Sequence, residues 1–581
     1  MDRKSWIGLI LSVVGLITWE WYYLKTYAPS MHHTAESTLS APTGTALPTT
    51  SPGETAVTPN ATPALPSVPL GPPRPPSETA TLQGPGVDYL FVNNTGGIAK
   101  VVISQHRAEN GTAVALNNDA YFPIGAIGLN PNVPLEGFAM AVDASAHTVT
   151  FTRTTESGIQ ITKRFLVPIS GDKARQYQVQ LELTLHNPTS TDLSWPSYWI
   201  GLGGAAPLHH TDLSTYTQFD WSNGNKPVAI DVNWFDGSRI PLVGIETRAP
   251  ALVYRQSASS LAWASVSSQY FCTILNSLNS AGTGVWASRS PLPDAPKLNG
   301  ILGGMELPGF NIAPGQSITQ SFLIYSGPKE LHRLQTLGKG QDSLLKYGPF
   351  KIVSEGLLWG MNKLYKWFGN YAWAIIALTL IIKLCLWPLQ NKATQAMRRM
   401  SLLTPKMTEL REKYRDDPQK MNEEMMKLYR EYGVNPFGGC FPMLIQIPIF
   451  FGFYSMLGTS IELRDSSFLW IHDLSQPDTV AHILGMPINL LPIVMAGTMV
   501  WQMAITPKSG DAVQQRIFYF MPVIFLAFCY NYASGLALYW TTQNLFSIVQ
   551  LYLTRNQPLP KLEKKSAVER RAAGKNKRKS S

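Results

Sequence analysis

Asn435-Pro436-Phe437-Gly438-Gly439-Cys440-Phe441-Pro442-Met443-Leu444-Ile445-Gln446 joins two unlike kinds of chain. Upstream lies a densely charged helical hairpin; downstream, Cys440 to Leu457 carries no charged side chain. A charge-free apolar run of this length reads as a helix that crosses a bilayer. It gives way to Thr459-Ser460-Ile461-Glu462-Leu463-Arg464 and then Ser467-Phe468-Leu469-Trp470-Ile471-His472-Asp473-Leu474, a polar and aromatic return to water.

Working outward, hydropathy predicts five spans after Tyr371, at about 371–388, 437–458, 486–504, 518–534 and 536–553. The last two are separated only by Ala533-Ser534-Gly535, which demands a tight hairpin. Another apolar run, Trp6 to Leu24, follows Arg3 and Lys4 and ends in Trp19, Trp21, Tyr22 and Tyr23, with no small-residue cleavage site. It predicts an uncleaved anchor over 1–27 with the N-terminus inside. Six spans return the C-terminus to that same side. Charge agrees: the loop 389–434 carries Lys392, Arg398, Arg399, Lys406, Arg411, Lys413, Arg415, Lys420, Lys427 and Arg430, whereas 459–485 carries only Arg464.

The 581 residues are 45% hydrophobic and 15% charged, values between those of soluble and fully embedded chains. Part of the net charge of +10 lies in a basic tail, 554–581, with Lys561, Lys564, Lys565, Arg570, Arg571, Lys575, Lys577, Arg578 and Lys579. Such a tail either touches anionic lipid or RNA or simply fixes topology. The four cysteines lack CxxC spacing, and His32-His33 and His209-His210 lack partners at ligand spacing. No disulfide framework, metal site or cofactor is expected.

Between the anchor and the spans, 28–86 is rich in Pro, Thr, Ser and Ala and predicts a disordered linker. Over 87–330 short alternating runs recur, among them Tyr89-Leu90-Phe91-Val92, Thr148-Val149-Thr150-Phe151 and Gln176 to Leu183. Turn residues punctuate them, which predicts a large antiparallel sandwich without a visible nucleophile–base pair or phosphate loop. Then, over 349–369, Phe350, Val353, Leu357, Met361, Leu364 and Phe368 share one helical face, with Lys351, Ser354, Glu355, Asn362, Lys363 and Lys366 off it. That pattern predicts an interfacial amphipathic helix.

The Asn435–Gln446 junction, with Thr379-Leu380-Ile381-Ile382-Lys383-Leu384-Cys385-Leu386-Trp387-Pro388 before it, resembles the YidC family of membrane-protein insertases. The likeness covers about 200 residues from the second span to the tail and is looser over the β domain. It implies a polytopic α-helical membrane protein: six spans, an insertase core of five (370–553) and a periplasmic β-supersandwich. The implied place is the cell inner membrane, with both termini cytoplasmic and the sandwich periplasmic. It also implies an insertase and chaperone of integral membrane proteins, acting alone or with a Sec translocon through a hydrophilic groove, not an enzyme. No Walker motif, metal site or catalytic triad is visible, so no nucleotide hydrolysis is expected.

Lys383 is the residue that most invites a function. An ammonium inside a span is costly and marks a functional site by default. It stands five residues before Pro388, so its stem could equally snorkel to the surface, and spacing alone leaves the two readings balanced. In the family the matching position usually holds arginine, the one positive charge of the groove. Lysine keeps that charge but loses the planar five-donor fork. Thr379, Gln446, Thr542, Gln543 and Asn544 are the expected polar lining, although intramembrane amides also serve as helix–helix glue. The resemblance implies client contact at Thr379, Phe450, Tyr539 and Trp540.

In the hairpin, Met397, Met400, Met407, Met421 and Met425 stand in a stripe broken by Asp416-Asp417-Pro418. The stripe is either the hairpin's own seam or a soft landing site for apolar clients. Expected partners are nascent membrane proteins, membrane lipids, a Sec translocon and a ribosome met by tail and hairpin, but no DNA. A secondary transporter using Lys383 would instead require inverted repeats, and none is found.

Overall fold

The computed structural model describes residues 78–117, 121–169, 175–239, 246–292, 295–434, 441–506 and 512–555. The predicted anchor 1–27, most of the linker, the Asn435–Cys440 junction and the tail beyond Arg555 lie outside them.

Strict alternation builds the sandwich. In Gln178–His186, Val179, Leu181, Leu183 and Leu185 are buried while their neighbours are half-exposed, the period-2 signature of a one-sided strand. This strand pairs antiparallel with Ser317–Pro328 on one side and Gln160–Leu166 on the other. They are the middle of a nine-stranded sheet running from Val228–Asp231 to Ala139–Asp143. A six-stranded sheet around Gly282–Leu292, Ala295–Leu307 and Tyr198–Ala205 faces it, and four strands from Thr79 to Leu116 form a third. Phe91, Phe151 and Phe165 meet edge-on or tilted in the shared core.

The predicted linker therefore ends too late. Thr79–Gly84 is a strand paired with Val87–Val92, and its Leu82 is buried. Its threonines suit a strand edge as well as a tether, and only the partner strand decides between them.

Eight helices follow among the described residues: α1 (Leu331–Thr336), α2 (Lys351–Phe368), α3 (Tyr371–Lys413), α4 (Pro418–Tyr432), α5 (Phe441–Thr459), α6 (Leu490–Ile505), α7 (Ala512–Cys529) and α8 (Ser534–Arg555). Only α3 is both long and apolar enough by itself to cross a membrane, while α5, α6 and α7 contain shorter apolar stretches. Helices α3, α5, α6, α7 and α8 supply the five-helix core. Ile381, Leu384, Val500, Phe520, Val523 and Leu553 on its outside are exposed, as a lipid-facing surface requires.

Three boundaries differ from expectation. Helix α3 continues through Pro388 and Pro405, so the second span and the first hairpin limb are one rod. The span expected from 486 begins at Leu490, because Met486–Asn489 pairs as a strand. The turn between the last two spans is Tyr530–Ala533, and α8 already starts at Ser534.

The α2 helix buries Ser354, Leu357, Leu358 and Met361. Ser354 was placed off the packed face; it is buried instead, its hydroxyl donating to the Gly452 carbonyl at 3.1 Å. Phe368, counted on that face, is half exposed, and Ile352, Trp359 and Trp367 present an apolar stripe outward. Sandwich and core are joined by hydrogen bonds, including Gln269 to the Gly458 carbonyl (2.8 Å) and Tyr270 to the Ser475 carbonyl (3.1 Å).

Candidate functional site

Helix α3 brings Lys383 against α8, where its Nζ donates to Ser547 Oγ at 2.9 Å. Ser547 in turn donates to the Gln543 carbonyl one turn back, at 2.9 Å. From α5, Gln446 Nε2 reaches Gln543 Oε1 at 3.0 Å and Tyr539 Oη at 3.1 Å. Three helices thus converge on one polar knot.

The knot borders a small, partly open cavity of about 10 Å³ lined by Thr379, Ile382, Lys383, Gln446, Tyr539 and Gln543. Among the described residues Lys383 has no carboxylate partner; the group that holds it is a neutral hydroxyl. Thr379 turns its hydroxyl back to the Ile375 carbonyl at 2.7 Å, so it offers the cavity an oxygen and a methyl rather than a free donor.

The polar track extends further than expected. On α8, Tyr539, Gln543, Ser547, Gln550 and Thr554 recur at steps of three or four, one face of a helix. Gln550 Nε2 bonds Asn391 Oδ1 at 3.2 Å, on the same α3–α8 seam as Lys383 and eight residues further along α3. Ser547, Gln550 and Asn391 were not among the expected residues, although Ser547 and Gln550 stand at helical spacing from Gln543.

Two expected lining residues are elsewhere. Asn544 points to α6, donating to Thr498 Oγ1 at 3.0 Å, and is glue between two helices. One residue on from Gln543 is a rotation of about 100°, enough to leave the cavity. Thr542 is buried but does not line it.

The three aromatic residues among the expected client contacts also divide. Phe450 and Trp540 meet edge-on at 4.7 Å, and Phe525 of α7 joins them at 6.2 Å and 4.5 Å. Tyr539 is only 1% exposed, stacked on Phe453 at 4.0 Å, and belongs to the polar cavity instead.

In the hairpin, Leu403, Met407, Met425, Leu428 and Val434 are buried together, with Met400 and Met421 packed on them. The methionine stripe is chiefly the seam. Asp417 Oδ1 accepts from the Lys420 backbone N–H at 3.0 Å and caps α4, with Pro418 at its first position. Among the described residues no cluster of three or more His, Cys, Asp or Glu could hold a metal.

Residues 363–561 match the family model described as 60Kd inner membrane protein, and 134–360 match that of the YidC periplasmic domain. A membrane protein insertase YidC of Geobacter sp. (strain M21) is 32% identical over 481 residues, covering 80% of this chain and 83% of that one. Another from Syntrophus aciditrophicus (strain SB) is 29% identical over 586 residues, covering 96% and 100%. A crystal structure of an active YidC insertase, with its first transmembrane domain resolved, aligns at 18% identity and a TM-score of 0.33, covering 83% of this chain and 93% of that one.

Proposed function

Because the chain belongs to the YidC family of membrane protein insertases, we propose that it inserts its clients by a passive route centred on Lys383. Its function is that of a family of inner-membrane insertases with a periplasmic domain, and its clients are nascent membrane proteins. The relatives lend no support to a transporter.

The observation that carries the mechanism is the uncancelled charge of Lys383 in a polar cavity between α3, α5 and α8. Size limits what enters. A cavity of about 10 Å³ is at the lower limit of the ~10–15 Å³ that a single water needs, whereas a client helix is ~10–12 Å across. The cavity therefore receives no more than a water, a client's polar flank meets Lys383 only at its mouth, and the apolar helix travels outside it, over Phe450, Trp540 and Phe525.

A hydrated cavity part-way across lowers the cost of moving polar groups through the apolar layer. Partition of the client's apolar segment into lipid supplies the driving force, so no bond is broken and no nucleotide is spent; the protein works as an insertase and chaperone, not an enzyme. Cytoplasmic termini, a periplasmic sandwich, a ribosome met by the basic tail and hairpin, and cooperation with a Sec translocon complete this reading. The charge distribution of the loops supports it.

Purified protein in liposomes should promote insertion of a small one- or two-span protein without nucleotide. Insertion that begins only when nucleotide is added overturns the passive reading.

A further inference from the structure

Ahead of α6, Thr479–Ile483 and Met486–Asn489 form a two-stranded hairpin that pairs with no other strand among the described residues. Its base is built in. Asn489 is fully buried and donates to the Tyr530 carbonyl at 2.6 Å, while Tyr530 Oη donates back to the Pro487 carbonyl at 2.7 Å. Asp478 accepts from the Leu491 backbone N–H (2.6 Å) and from Trp470 Nε1 (3.0 Å). The stalk is thus fastened to the turn between α7 and α8.

Its tip is bare and apolar. Leu484 is 93% exposed, and Val480, Ile483 and Met486 are exposed around it. Leu484 and Gly485 make the two-residue turn with φ of 53° and 79°. Two positive φ values define the turn that favours Asn-Gly, and a leucine there costs stability. A strained residue that is also the most exposed large apolar one among the described residues points to a role outside the fold.

From Thr479 to Pro507 the chain has no Asp, Glu, Lys or Arg. The apolar tip continues into the exposed Leu490, Ile493, Val494, Val500 and Trp501 of α6, the face this membrane protein turns to lipid. Helix α6 has 16 residues, which at 1.5 Å each is about 24 Å, short of a ~30 Å hydrocarbon core. Apolar surface at its head makes up the difference.

We propose that the Leu484–Gly485 tip is a lipid anchor, seated in the headgroup–acyl boundary of the leaflet nearest the sandwich. It cannot go deeper, because both hairpin edges carry unpaired backbone groups that hydrocarbon does not satisfy. The boundary accepts the apolar side chains and still hydrates the edges.

The test uses the full chain in phosphatidylethanolamine–phosphatidylglycerol vesicles, with a photo-activatable residue at Ile483 and a control at Gln178. Phospholipid adducts should exceed the control several-fold. They should fall to the control level in Leu484→Asn, a change that suits the turn and leaves hairpin hydrogen exchange as protected as before. The anchor is overturned if adducts at Ile483 match those at Gln178, if Leu484→Asn retains them, or if Ile483 captures chiefly a second copy or a client adding a strand to the edge.

Discussion

Lys383 and Ser547 meet at 2.9 Å although they are 164 residues apart, and that contact stitches the first helix of the core to the last. A hydroxyl holds the ammonium in place without neutralising it, so position and charge can be tested separately. Ser547→Ala should keep the charge and client insertion and cost about 1 kcal/mol of stability, the net value of one hydrogen bond. Ser547→Asp puts a carboxylate within reach of Lys383 and should impair clients with acidic translocated tails as a lost lysine would. Protease protection of inserted tails, beside thermal unfolding, separates the two.

Asn544 sits one residue from the cavity yet serves a different pair of helices. Asn544→Leu should loosen α8 from α6 by about 0.6–1.7 kcal/mol and leave client selectivity unchanged. A loss of insertion confined to acidic-tailed clients, with unchanged thermal stability, would return Asn544 to the cavity.

The aromatic cluster redraws the client's route. Photo-crosslinkers at Phe450, Phe525 and Trp540 should capture a stalled nascent span, because the three rings form one patch across α5, α7 and α8. Probes at the buried Met495 and Tyr539 and at Gln178 on the sandwich should capture little. Capture at Met495 in preference to Phe450 would place the route on α6.

Glu462, outside the spanning helices, gives the junction with α2 a pH dependence. Burial, reinforced by Glu330 and opposed by its own backbone N–H and by Asn362, pushes its carboxyl up to about 7. Tyr347 and Tyr371 are its other titratable neighbours. The folded value lies above the ordinary 4.5, so the stabilisation is complete below 4.5 and is lost as pH rises through about 7. Hydrogen exchange over 460–464, corrected for its intrinsic pH dependence, should therefore quicken across that range, and Glu462→Gln should flatten the response.

Much of this was legible in the residues. Alternation marked the long strands, Asp417-Pro418 marked the start of α4, and the cost of an intramembrane ammonium singled out Lys383. What was not legible depended on neighbours remote in sequence. Asn544 and Gln543 are equivalent amides until α6 and α5 take opposite sides of α8. Ser547 is inconspicuous in an apolar helix until a lysine arrives from α3. The hairpin before α6 merged into the span because its strands are as apolar as the helix they precede, and Thr79–Gly84 read as tether because Leu82 finds its cover only in the folded sheet.

In the proposed mechanism the charge of Lys383, beside its cavity between α3, α5 and α8, promotes insertion. Nucleotide-free insertion into liposomes, of clients matched except for the acidity of their translocated tails, tests it most directly. Lys383→Arg should insert all of them, whereas Lys383→Ala and Lys383→Glu should slow the acidic-tailed clients most. If Lys383→Ala inserts every client at the unaltered rate, the charge serves only to position α3, and the account is contradicted.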